Sequence, residues 1–144
     1  MAACSPKAPA ESSHEITGTQ PERIAAVSQL ISKHAPLPSA LLDAHFLEQQ
    51  LGDGQLGPSD FTSFYALTVA STDLHAWRSA LAPIQSPNTP PKYATPKQPL
   101  PWWLTHDDFL GLKFYDPKAL TGRGNGWVGI APDSGKIFVY VFTM

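Results

Sequence analysis

Apolar positions along this chain follow two rhythms, and the points where one gives way to the other outline the predicted elements. Ile24, Val27, Leu30 and Ile31 recur at intervals of three and four, the stripe of one helix. Its start is marked by Thr19-Gln20-Pro21-Glu22. The Thr19 hydroxyl can accept an early amide while the Glu22 carboxylate reaches back, a capping box. Pro21 suits a first turn, where its missing N–H had no partner within the helix. Pro36 and Pro38 close this helix after His34. Ser39 then caps an expected second helix carrying Leu41, Leu42, Phe46, Leu47 and Leu51, with Gly52 as its stop. Gly52-Asp53-Gly54 and Gly57-Pro58 mark a turn-rich passage.

Over residues 61–70 the period shortens to two. Tyr65, Leu67 and Val69 alternate with Phe64 and Ala66, and the aromatic and β-branched content favours a strand over the helix that Phe61, Phe64, Tyr65 and Thr68 also fit. Ser71 or Thr72 caps a short helix with Leu74, Trp77 and Leu81 inward. A second capping signature, Thr105-His106-Asp107-Asp108, opens a helix carrying Phe109, Leu110, Leu112 and Phe114 until Asp116-Pro117 ends it. A glycine turn over residues 121–126 leads into Trp127-Val128-Gly129-Ile130, and Pro132-Asp133-Ser134-Gly135 returns the chain. The final run is the clearest strand: Ile137, Val139 and Val141 on one face, Phe138, Tyr140 and Phe142 on the other. Apolar character on both faces means a central strand, or one aromatic face left for another partner.

Seven prolines fall within residues 83–101, which excludes helix and interior strand there. So long an irregular connection is usually either a functional loop or a disordered one. Residues 1–18, rich in Ser, Pro, Ala and Lys, show no apolar period and are expected to be a mobile tether. Residues 19–144 are then a single α+β domain: a small, mostly antiparallel sheet of three or four strands with helices packed on one face, interrupted by the Pro-rich loop 83–101.

Composition narrows the function more by exclusion than by indication. Lysine and arginine number 10 against 12 acids in 144 residues, without a basic stripe. That removes the electrostatic footprint of a nucleic-acid binder. No apolar run approaches the ~20 residues that cross a bilayer. Cys4 is the lone cysteine, so no internal disulfide forms, and no Cys/His spacing suggests structural zinc. No cofactor and no metal are expected.

Candidate chemistry is sparse. Asp43, His45 and Glu48 form D-x-H-x-x-E; on a helix His45 and Glu48 share a face and offer two metal ligands, a third having to come from His75 or His106. A polar helix face is the simpler reading. His106-Asp107-Asp108 places a histidine beside carboxylates, though acids in a first turn also suit the helix dipole. The glycines of 121–126 with Arg123 lack the strand-before, helix-after setting of a phosphate cradle. No G-x-S-x-G elbow is present, and Cys4 has no neighbours that would hold a thiolate. Catalysis has little support. The aromatic residues carry more: most large rings belong in the core by default, but Tyr93, Trp102 and Trp103 flank or sit in the Pro-rich arm, and such side chains anchor interfaces or stack on sugar rings.

At the start of the chain, Ala2-Ala3-Cys4 precedes Ser5-Pro6-Lys7-Ala8-Pro9-Ala10-Glu11. Two small residues before a cysteine and a polar tail after it resemble the lipobox of bacterial lipoproteins, with Cys4 as the acylated residue. Met1 stands where that pattern usually has Leu, and the charged and apolar regions of a secretory signal do not precede it. That leaves a truncated start or a coincidence. The resemblance implies a lipid anchor on Cys4 and, with Ser5 following, the periplasmic face of the outer membrane. The expected function is a small envelope lipoprotein acting as a binding or inhibitory, immunity-like module, with Tyr93, Trp102 and Trp103 meeting a protein or glycan partner. The alternatives are a small hydrolase using His45 or His106 with carboxylates, and a cytosolic defence or antitoxin-type binding protein.

Overall fold

The structure is a computed structural model that describes residues 12–51, 60–84 and 91–143. Its elements run β1 (Ser12–Glu15), α1 (Gln20–Ser32), β2 (Asp43–Leu51), β3 (Asp60–Thr68), α2 (Leu74–Ala80), β4 (Ala82–Pro83), α3 (His106–Leu110), β5 (Lys113–Asp116), α4 (Lys118–Thr121), β6 (Gly126–Ile130) and β7 (Lys136–Phe142). The strands join in one antiparallel sheet ordered β1-β2-β3-β7-β6-β5-β4.

This corrects the expected three- or four-stranded sheet with helices on one face: the described residues form seven strands and only four short helices. Three strands follow the alternating runs that the sequence displays. Four others lack such runs. β1 lies inside the segment read as tether, β4 is two residues long, and β5 takes up Phe114 from the expected helix. The fourth, β2, replaces the expected second helix.

Leu, Glu and Gln in β2 favour a helix locally, yet β2 pairs with β3 from Asp43↔Thr68 to Leu51↔Asp60. Ala44 and Phe46 are buried on one face and Leu47 on the other. Pairing along its whole length, with burial on both faces, outweighs a propensity of a few tenths of a kcal/mol per residue.

Both capping boxes form. Thr19 accepts from Glu22 N while Glu22 Oε1 accepts from Thr19 N, and Thr105 and Asp108 repeat the arrangement on α3. Helices α1, α2 and α4 cover one face of the sheet, burying Val27, Ile31, Leu74, Trp77 and Leu120 against Phe46, Leu67, Val128, Ile137 and Val139. The other face is covered by α3 and the irregular strap of residues 91–104, where Trp103, Leu104 and Phe109 bury against Leu47, Phe64, Trp127 and Phe138. Leu110 is 67% exposed, since α3 buries only Phe109.

The strap has no ladder partners, so aromatic donors satisfy its carbonyls. Tyr93 Oη donates to Leu104 O at 3.0 Å, Trp103 Nε1 to Ala94 O at 2.8 Å and Trp127 Nε1 to Lys92 O at 2.9 Å.

Candidate functional site

Where the strap crosses the sheet it leaves a cavity of about 600 Å³ at one end of that face. The floor comes from three neighbouring strands, because residues two apart share a face. β2 supplies Asp43 and His45, β3 supplies Ala66 and Thr68, and β7 supplies Lys136 and Phe138. The register lines them up in two rows: Asp43, Thr68 and Lys136 at the sheet end, then His45, Ala66 and Phe138. Ala66, the smallest side chain of the inner row, forms the hollow. Trp102 and Trp103 wall the cavity, together with Asp107, Leu112 and Ser134.

Arg23 fixes the acidic end. Its Nη2 donates to Asp43 Oδ1 at 2.8 Å, its Nε to Ala44 O at 3.1 Å and its Nη1 to Gly18 O at 2.9 Å. Ala44 N also donates to Asp43 Oδ1 at 2.8 Å. Desolvation pushes the Asp43 carboxyl up, but the Arg23 and Ala44 hydrogen bonds prevail and hold it below the ordinary range. The second oxygen, Oδ2, lies 3.6 Å from His45 Nε2, an electrostatic contact too long for a good hydrogen bond.

The His45 ring stacks on Trp102, centroids 5.2 Å apart and planes 9° from parallel. Burial lowers its pKa, and Arg23 and Lys136 push the same way against Asp43 and Glu15. His45 is therefore a neutral imidazole at pH 7. Trp102 is half-buried, and its Nε1 donates to Glu15 Oε2 of β1 at 3.2 Å.

The three aromatic candidates part company. Trp102 faces the cavity. Trp103 lines it but is only 7% exposed, packed edge-on against Phe64 and Phe138. Tyr93 lines a second cavity, about 640 Å³, with Trp127, Tyr140 and Phe142; that one is largely apolar and is bordered by Ile84 and Pro91. Cys4 lies outside the described residues.

The strand geometry of β2 also redistributes the D-x-H-x-x-E residues. His45 and Glu48, an odd number apart, point to opposite faces, and Glu48 accepts from Ser63 Oγ at 3.0 Å. Asp43 and His45, two apart, come together instead. His106 is exposed and sits against Tyr93 and Phe109 outside the cavity, and His75 is exposed on α2, against the opposite face. Among the described residues no group of three His, Cys, Asp or Glu could hold a metal ion. Sequence reasoning missed Ala66, Thr68, Ser134 and Lys136, which carry no motif. The alternation of Asp43 and His45 was the available signal, masked by the helix reading. No helix among the described residues is long and apolar enough to cross a membrane. Comparison with protein-family models, curated proteins and solved structures finds no match to the chain.

Proposed function

We propose that this protein is a binding or inhibitory module of the bacterial cell envelope, tethered through a lipid on Cys4 and meeting a protein or glycan partner at the Trp102 cavity. The observation that carries the reading is Trp102 itself: a half-buried indole on a cavity wall, stacked on His45 and tied to Glu15. A large ring already held in place loses little entropy on binding, which is what an anchor residue requires. Trp103 and Tyr93 serve this site by holding the strap in place.

The tether fits the placement of the cavity. Seven residues, 5–11, separate Cys4 from β1, a reach of at most about 25 Å. β1 enters at Ser12 opposite Gln50 of β2, whereas the cavity lies at the Asp43 end, some seven residues or roughly 23 Å along the strand. A tether on Cys4 would thus join the domain at the end of β2 farther from the cavity.

The test has two parts. Expressed from its own locus with upstream codons included, the protein should have the mass of a chain starting at acylated Cys4 and partition into detergent. An unmodified chain starting at Met1 rejects the anchor and puts the cytosolic reading first. Immobilised wild type should then retain envelope material that folded Trp102→Ala does not. Identical retention by both rejects the cavity as the contact site.

The line Arg23–Asp43–His45 favours a second reading, a hydrolase in which neutral His45 is the base for a water molecule. Turnover of an ester or glycoside substrate that disappears in His45→Gln would support it, and absence of turnover removes it.

A further inference from the structure

We propose that the ligand of the Trp102 cavity is a saccharide, bound with one ring over Ala66; this rests on the binding reading above and names the chemistry that the site accepts. The argument comes from donors and acceptors. The Asp43 and Asp107 carboxylates only accept hydrogen bonds, Lys136 only donates, and Thr68, Ser134 and neutral His45 do both. These groups lie around one cavity of about 600 Å³, within the range of small-ligand sites. In the outer row the acid, the hydroxyl and the ammonium stand on adjacent strands, so an acceptor, a group that does both and a donor follow one another on strands about 5 Å apart.

Each simpler ligand leaves something unpaired. An anion suits Lys136 but faces Asp43 and Asp107. A cation suits those carboxylates but approaches Lys136 and Arg23. An apolar ligand covers Thr68 and Asp43 Oδ2 without offering either a hydrogen bond, which is costly. A hydroxylated ring satisfies the set, since each O–H both donates and accepts. Its C–H faces need apolar surface, and the cavity supplies it from Ala66, Phe138, Leu112 and Trp102. Ala66 decides the fit. It lies between Phe138 and His45 in the inner row, and any larger side chain there occupies the space of the ring.

The probes are the neutral sugars glucose, N-acetylglucosamine and galactose with their β-linked dimers, tested against the full chain by saturation-transfer NMR. At least one should receive saturation at its ring C–H protons and shift tryptophan emission. Ala66→Phe should abolish both signals. Asp107→Asn, at an exposed position, should weaken binding about tenfold; this holds the test even where Ala66→Phe fails to fold. Absence of transfer to every probe overturns the proposal, as does transfer that neither variant changes. Where Trp102-dependent retention of envelope material is abolished by protease treatment, the occupant is a polypeptide. The saccharide is then rejected while the binding module stands.

Discussion

Trp102 and Trp103 are adjacent in the chain and do different work. Trp103 puts its ring between Phe64 and Phe138 and its N–H on Ala94 O, joining strap to sheet. Trp102 turns outward onto His45, with its N–H on the Glu15 carboxylate. Truncation should separate the two. Trp103→Ala empties a buried volume and strands a carbonyl, an expected loss of about 3–5 kcal/mol. Trp102→Ala removes a half-exposed ring and should cost less than about 1.5 kcal/mol. Urea unfolding measures both, and equal losses would mean that Trp102 is a core residue with no surface to offer. In the sequence both read alike, as bulky residues following a proline. Only the sheet behind them assigns their directions.

Among the elements, the β6–β7 hairpin makes the strictest local demand. Gly126 opens β6 at φ 123°, and a Cβ there would run into the Tyr140 carbonyl of β7. Gly126→Ala should lower stability by more than about 1 kcal/mol. Gly124→Ala, with nothing within 4 Å of its Cβ, is the control and should change it little. Comparable urea midpoints for the two variants would contradict this hairpin geometry. β2 makes the opposite kind of demand: its sequence tolerates a helix, and its neighbours impose the strand. The site depends on that outcome, since only a strand sets Asp43 beside His45 and parts His45 from Glu48. The strap depends on side chains, with indole and phenol donors standing in for the ladder its prolines cannot make.

For the whole molecule, the site leaves its mark in stability against pH. The folded state lowers the pKa of His45 from 6.5, chiefly through burial. As pH falls below 6.5 the unfolded chain takes up that proton first, so stability declines until the folded value is reached. Asp43, lowered from 3.8 because its Arg23 and Ala44 hydrogen bonds outweigh desolvation, adds stability above that value that is lost at lower pH. His45→Gln should flatten the slope of stability between pH 7 and 5. An unchanged slope would exclude His45 as its source. Much of this molecule was legible in its sequence: both helices with capping boxes, the faces of β3 and β7, the final hairpin and the absence of helix and interior strand from the described residues 91–101 of the proline-rich stretch. Each of these rests on contacts between residues near in sequence or on a period that burial imposes along one segment. The identity of β2, the edge strands β1 and β4, the strand β5, the meeting of Asp43 with His45, and the place of Ala66, Thr68, Ser134 and Lys136 in the cavity were decided by tertiary structure. Their partners lie far along the chain, and pairing energy with a distant strand outweighs a weak local preference without leaving a local pattern. The amino-acid order fixed which segments could be amphipathic; the sheet decided which of them would meet and what would stand in the space between.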